Sequence, residues 1–383
     1  VRRVYLDHAA TTPPDPRVWE AMLRLSGEAW GNPSSGHHLG RRARSLLDDA
    51  AEQVAAAIGA RRPDEILFTS GGTEADNLAL RGVLAALPPE LALLTTAAEH
   101  AAVLETAADL EAAGRPVLRL PVDSRGLLDP ARLDEALGRV PTGLVSVIWA
   151  NNELGGIHEM ARLSEICRRH GVLLHTDAVQ ALGRLPVDLR EVPVDLLSGS
   201  AHKFHGPKGA GFLYVRRGVA LRPQQTGGLQ FAGLRGGTEN VPGIVGLGLA
   251  LELAVRERPQ VVERLRSLSA RFKARIAALP GLTLLADGGA SDCLPGHFSL
   301  SFTGVEGEAL LLSLDLDGIA VSSGSACHTG SIEPSHVLLA AGLSPAQAKS
   351  SIRLVLGRST TEADLDYAAE RLDEHVRRLG SEA

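Results

Sequence analysis

Apolar residues recur along the first two-thirds of the chain in short runs. These are Glu65-Thr69, Leu91-Thr95, Val117-Leu120, Gly143-Ala150, Val172-Thr176, Asp195-Ser198 and Ala210-Val215. Runs of this length bounded by turn residues predict buried strands. Between several of them the apolar positions change period. Leu39, Ala43, Leu47, Ala50, Val54 and Ile58 fall three or four apart and predict an amphipathic helix. Strands alternating with helices predict an α/β layer with a mostly parallel sheet.

A longer helical pattern begins near Pro242 and runs through Arg275, a predicted link between a large lobe and a smaller one. Roughly the last hundred residues read as strand, strand, helix, loop, helix, strand and helix. Thr361 and Asp364 form the capping pair of the last helix, whose apolar face is Leu365, Ala368, Leu372, Val376 and Leu379. Neither an internal repeat nor a low-complexity linker interrupts this order.

Composition narrows the picture. With 383 residues, 44% of them hydrophobic, the chain can build a large core and two domains. The net charge of -6 comes from 39 basic and 45 acidic residues with no basic block, so nucleic acid is not an expected partner. The longest apolar stretch, Pro242 to Val255, is broken by Glu252 and is too short to span a bilayer. The first residues carry no signal-peptide core, and a cytoplasmic location with no membrane partner is expected. Cys167, Cys293 and Cys327 are isolated, with neither a disulfide framework nor a CxxC pattern, and no metal site is expected. Only four of the basic residues are lysines: Lys203, Lys208, Lys273 and Lys349. Where arginine serves for plain charge, a retained lysine points to amine chemistry.

Ligands in open α/β sheets sit at the carboxyl ends of the strands, so the residues after each run are the candidates. Ser70-Gly71-Gly72-Thr73-Glu74 follows the first run and opens a helix, an anion site made of backbone N–H groups and the helix dipole. Glu99 and His100 follow the second; the imidazole can stack on a flat ring or move a proton. Asn151 and Asn152 follow the fourth run. Asp177 follows the fifth, with Gln180 three residues on; a carboxylate there suits a protonated pyridine nitrogen. Ser200, His202 and Lys203 follow the sixth, before a glycine-rich turn that holds Lys208, the weaker candidate. Lys203, just past a buried strand, is placed to capture an aldehyde. Phosphate cradle, stacking group, counter-ion and amine together are what pyridoxal phosphate requires of a protein. A second candidate is Cys327 in Ser322-Ser323-Gly324-Ser325-Ala326-Cys327-His328, where a thiolate would be usable.

Ser200-Ala201-His202-Lys203 with the following Gly-Pro-Lys-Gly resembles the cofactor-lysine signature of the class V aminotransferase family. Tyr5-Leu6-Asp7-His8-Ala9-Ala10-Thr11-Thr12, Gly31-Asn32-Pro33-Ser34-Ser35, Asn151-Asn152-Glu153-Leu154-Gly155 and the Cys327 loop with Glu333-Pro334-Ser335 are similar to its NifS/IscS branch, the cysteine desulfurases. The resemblance runs from about residue 4 to residue 365. It implies a fold type I pyridoxal-phosphate-dependent transferase: α/β, with a large domain around a mostly parallel seven-stranded sheet and a smaller C-terminal α+β domain. The large domain is expected at 15–256, and the small one at 1–14 and 257–383 with the cysteine loop.

The resemblance also implies roles. Lys203 would carry the cofactor and move protons at the substrate Cα. His100 would stack on the ring, Asp177 pair with its nitrogen and Gln180 touch its hydroxyl. Gly72, Thr73, Ser200 and His202 would hold the phosphate, joined by Thr238 from the neighbouring subunit of a homodimer. Asn152 and Arg353 would hold the carboxylate of L-cysteine, and Cys327 would take its sulfur as a persulfide for an acceptor protein such as an iron–sulfur scaffold, or for tRNA thiolation. His328, beside Cys327, and His100 are both candidates to assist proton transfer. Selenocysteine lyase and another class V aminotransferase remain the alternatives. Gly72 stands where relatives often carry Ala, and His328-Thr329-Gly330 departs from the residues commonest after the cysteine.

Overall fold

A computed structural model describes residues 2–323 and 333–381. Cys327 and His328 therefore lie outside the described residues. The chain opens with β1 (Val4–Tyr5), α1 (Pro16–Glu28) and α2 (His38–Ile58). Strands and helices then alternate: β2 (Ile66–Thr69), α3 (Gly72–Leu84), β3 (Ala92–Thr96), α4 (Ala101–Ala112), β4 (Val117–Leu120), α5 (Pro130–Arg139), β5 (Thr142–Ser146), α6 (Met160–His170), β6 (Leu173–Asp177). β7 (Leu196–Ser200) and β8 (Gly211–Val215) complete the first half, and α7 (Val241–Ile276) leads away from it. The remainder is β9 (Leu282–Asp287), β10 (His297–Phe302), α8 (Gly307–Leu316), β11 (Ile319–Ala320), β12 (Ser322–Ser323), α9 (His336–Ala340), α10 (Pro345–Lys349), β13 (Ser351–Val355) and α11 (Glu362–Ser381).

The seven runs read from the sequence form one seven-stranded sheet in the order β2-β8-β7-β6-β5-β3-β4. Only β8 runs against its neighbours, β2 and β7; the other pairs are parallel. β7 is buried along its whole length, which is why it reads as a continuous run and not as an alternation. Past α7, the C-terminal part folds as an antiparallel sheet, β12-β13-β10-β9, with α8 and α11 packed nearby. β1 returns to pair in parallel with β11. The first half of α7 buries Ile244, Leu247 and Leu251 in the core of the large sheet. Its second half buries Leu265, Leu268 and Phe272 in a separate core with Phe298, Leu300 and Leu354. Among the described residues, no helix is long and apolar enough to cross a membrane.

Local signals explain the element ends. Asp15 caps α1 by accepting from Arg17 N, with Pro16 at the first helical position. Gly59 closes α2 in the left-handed region at φ 69°. Thr361 and Asp364 cap α11 reciprocally, Thr361 N donating to Asp364 Oδ2 at 2.9 Å and Asp364 N to Thr361 Oγ1 at 3.2 Å. Three details differ from the sequence reading. The Gly143-Ala150 run pairs regularly only to Ser146; beyond it Val147 N and Trp149 N donate to His175 O and Asp177 O. The two-residue strands β11 and β12 are too short to give a period. The single helix expected before β13 is two, because Gly342, at φ 91°, ends the first and Ser344 caps a second.

Gly199 of β7 is fixed by packing: a Cβ there would collide with the buried ring of Phe212 and with Leu182 Cδ1 at 2.8 Å. Neither neighbour is a free-swinging surface group. Gly199→Ala is expected to cost about 1–3 kcal/mol of stability by overpacking. Urea unfolding midpoints measure this, and an unchanged midpoint would show that the strand relaxes around the methyl.

Candidate active site

Four strand ends deliver the candidate side chains to one place. After β2 the chain turns through Gly71 into α3. The N-cap is a glycine with no side-chain hydrogen bond to the first turn, so the helix presents its N-terminal N–H groups uncovered. After β3, His100 is the N-cap of α4, its Nδ1 accepting from Ala102 N at 3.1 Å. That bond leaves the ring proton of the neutral imidazole on Nε2. At the end of β6, Asp177 accepts from Val179 N at 2.9 Å. After β7, Ser200 enters a single 3-10 turn, Ala201–Lys203, that carries His202 and Lys203.

These groups line one cavity of about 190 Å³. Gly72, Thr73, His100, Asn152, Asp177, Gln180, Ser200, His202 and Lys203 are all on its wall. Arg353 is not. It sits in β13, 4% exposed, and reaches the rim by donating to Asn152 O at 2.9 Å and to Asp7 Oδ1 at 3.1 Å. Thr238 is exposed and does not line the cavity. Its loop is held beside α3 by Arg235, which donates to Glu74 Oε1 at 2.8 Å.

Burial governs the charges. Lys203 Nζ donates to Ala9 O at 2.6 Å and Ala10 O at 2.8 Å. Burial, reinforced by the guanidinium groups of Arg353 and Arg184, brings the amine down to about 8. Asp177 is raised by burial, with His100 and Lys203 pulling the other way. Asp76 on α3 is raised further, by burial and then by the charge of Asp177. Burial also holds His100 below its usual range, against the attraction of Asp177. Behind the carboxylates, His175 bridges Ser146 Oγ and Ser198 Oγ, each at 2.9 Å, and burial takes it to about 3.

Asp76, Asp177 and His100 bring ligand-capable atoms within 4.8 Å of one another, the one such trio among the described residues. The same wall carries the Lys203 amine and the open helix end, which a metal ion does not need and a phosphorylated aldehyde does. Of the residues on this wall, three carry a buried side-chain oxygen with no hydrogen-bond partner among the described residues: Asn152 Oδ1, Gln180 Oε1 and Asp76 Oδ1. Unpaired polar atoms around a cavity beside a buried amine fit a polar ring bound there.

Two sets of site residues escaped the sequence reading. Asp76 lies one helical turn after Thr73, on the same face of α3, and that i, i+3 spacing was the available signal. The N-terminal segment acts through its main chain, which no side-chain pattern reveals. Ala9 O and Ala10 O hold Lys203, Ala9 O also accepts from Gln180 Nε2 at 2.9 Å, and Thr12 N donates to His202 O at 2.9 Å. The other two thiols are sealed: Cys167 and Cys293 are buried, and desolvation pushes each up to about 12.

The chain matches the family model for aminotransferase class V over residues 4–368. It is 47% identical to the cysteine desulfurase IscS of Dictyoglomus turgidum over 379 residues, 99% of this chain and 95% of that protein. Among solved structures it is similar to a NifS-like protein, with a TM-score of 0.91 and 38% identity over 98% of this chain and all of the other. It is also similar to SspA in complex with cysteine, with a TM-score of 0.81 and 33% identity over 94% of this chain and all of that one. The chain belongs to the class V aminotransferase family, whose members depend on pyridoxal phosphate.

Glu99 gives a test of the site's electrostatics. It is fully buried, accepts from Thr96 Oγ1 at 2.7 Å, and burial raises it from 4.5 to about 8. Between those values the folded state holds a proton that the unfolded state has lost, so Glu99 makes stability fall as pH rises through about 8. Glu99→Gln mimics the protonated form. Its stability relative to the parent is expected to be level near pH 4.5 and to grow in favour of the variant up to pH 8. Chemical unfolding across this range reads the difference, and a pH-independent one would show that Glu99 ionises normally.

Proposed function

We propose that this chain is a cysteine desulfurase that converts L-cysteine to L-alanine and takes the sulfur on Cys327 as a persulfide. The observation that carries the reading is the buried amine of Lys203 sharing one cavity wall with Asp177, His100 and the open N-terminus of α3. The relatives named as cysteine desulfurases and the cysteine complex of SspA support the substrate.

When bound, pyridoxal phosphate supplies an electron sink for the negative charge formed at the substrate Cα. The α3 N-terminus at Gly72, with Thr73, Ser200 and His202, would hold its phosphate, and Asp177, Gln180 and His100 would hold its ring. Lys203 would hold its aldehyde end, and its amine would move the proton at the substrate Cα. An amine brought near 8 is matched to proton transfer near neutrality. Arg353, whose Nε has no partner among the described residues, and Asn152 take the substrate carboxylate. The Cys327 thiolate attacks the substrate sulfur. An S–S bond forms as the Cβ–S bond breaks, the electron pair stays with carbon, and protons added there give alanine.

The enzyme works as a cytoplasmic homodimer in which Thr238 reaches the phosphate of the partner subunit. Its exposure in its own chain and the anchoring of its loop beside α3 support this reading. The lobes divide at 15–256 and at 1–14 with 257–383, supported by the two cores that α7 joins. The sulfur passes to an acceptor protein of iron–sulfur cluster assembly or tRNA thiolation.

Purified protein is expected to be yellow and to release alanine and sulfide from L-cysteine in the presence of a thiol reductant. Lys203→Ala should lose the colour and about 10²–10⁴-fold or more of the turnover. Cys327→Ala should keep the colour and lose sulfide release. Full sulfide release by Cys327→Ala would overturn the persulfide step. Turnover of selenocysteine alone, or a keto acid in place of alanine, would overturn the desulfurase reading.

A further inference from the structure

Asp7 stands where the N-terminal segment runs beside β13. Its Oδ1 accepts from Arg353 Nη2 at 3.1 Å, and the two side chains are 16% and 5% exposed. Its backbone is fixed against the strand that carries Arg353. Asp7 bridges Val355 in parallel, Val355 N donates to Leu6 O at 2.6 Å, and His8 N donates to Val355 O at 3.3 Å. Tyr5 OH donates to Asp7 O at 3.1 Å and to Thr11 O at 2.9 Å, bracing the turn that follows. The carboxylate is therefore carried on braced backbone and not on a free loop.

The guanidinium is held from two sides. Nη1 donates at 2.9 Å to Asn152 O, in the segment after β5, and Nη2 donates to Asp7. These bonds use one N–H of each Nη, and one on each remains, the number a carboxylate takes with two parallel bonds. Asp7 is also the one ion-pair partner of Arg353 among the described residues. A cation buried this far is costly without a counter-ion, so Asp7 keeps it in place while no substrate is bound. Asp7 itself is not on the wall of the cofactor cavity.

We infer that Asp7 is a positioning residue that pairs with Arg353 and fixes its guanidinium with two donors left for the α-carboxylate of the amino-acid substrate. The inference rests on the proposed assignment of Arg353 to that carboxylate. Two effects of Asp7 oppose each other: it competes with the substrate for the cation, and it holds the cation where the substrate needs it. Placement wins, because the competition occupies one N–H, whereas without Asp7 the guanidinium loses its counter-ion and keeps one tie, to Asn152 O.

The test uses the cofactor-loaded protein. KM and kcat are measured for L-cysteine, and the dissociation constant of L-alanine is read from the absorbance of the bound cofactor. Asp7→Ala is expected to raise KM and the L-alanine constant about ten-fold, with a much smaller change in kcat. Asp7→Asn keeps an acceptor oxygen in place and should bring both constants back to within about three-fold of the parent. Cysteamine, which has no carboxylate, should bind the parent and both variants alike. An equal loss for cysteamine, tighter binding of L-cysteine by Asp7→Ala, or unchanged constants would each overturn the role of Asp7. Arg353→Leu separates the two levels. Unchanged constants there would sink the assignment of Arg353 itself; raised constants there, with none in Asp7→Ala, would sink the role of Asp7 alone. A crystal structure with L-alanine bound needs no variant to fold: the Asp7–Arg353 bond should persist beside the carboxylate, and a guanidinium that has left Asp7 would overturn the inference.

Discussion

A primary amine buried among guanidinium groups is the constraint around which this molecule is arranged. Among the described residues, no carboxylate forms an ion pair with Lys203; two main-chain carbonyls, Ala9 O and Ala10 O, accept its protons. Those carbonyls belong to a segment that crosses between the two cores, fixed at one end by β1 against β11 and at the other by Thr12 against His202. The amine is thereby held by dipoles, which stabilise it without pinning it as an ion pair would. Its affinity for protons falls because burial and Arg353 act on it together. The same arrangement that lowers the amine ties the N-terminal segment to the end of β7, so chemistry and lobe packing share their hydrogen bonds.

The opposite wall has the complementary problem. Asp177 and Asp76 are buried together; burial raises both, and the charge of Asp177 adds to the cost of ionising Asp76. In a dry cavity, one such carboxylate ionises comfortably only when a cation arrives. A protonated ring nitrogen is such a cation. The floor of the cavity is therefore more favourable with a cofactor bound than without, and His175, kept neutral between two serine hydroxyls, adds no competing charge beneath it.

What the sequence revealed follows from this division. Most strands were legible because they are buried and read as apolar runs; the edge strand β4, half-buried and carrying Arg119, is the exception. The site was legible because each strand end carries a side chain with its own chemistry: Asp177, Lys203, His100. Asp76 was hidden because it looks like an ordinary polar residue of a helix; only packing shows that its face of α3 is buried. Ala9 and Ala10 were hidden because their contribution is a pair of carbonyls. Arg353 was named by resemblance, and its reach to Asn152 O depends on β13 lying beside the large lobe, which is a long-range fact. Thr238 was named by resemblance alone, and its own chain gives it no place on the cavity wall.

The thiols show the same logic from the other side. A nucleophilic sulfur must ionise, and burial forbids that at Cys167 and Cys293, both pushed up to about 12. The third thiol lies in a stretch whose described flanks are both tied to the site. Ser322 of β12 pairs with Arg353 of β13. On the far side, Ser335 Oγ donates to Glu153 Oε2, and His336 Nε2 donates to Glu99 O at 2.9 Å. Cys327 is four positions beyond Ser323, a reach of at most about 14 Å for extended chain. A sulfur acceptor has to meet both a buried substrate and an outside partner. With the other two thiols buried and the described flanks anchored at Arg353 and at Glu99, the proposed role of sulfur acceptor falls to Cys327.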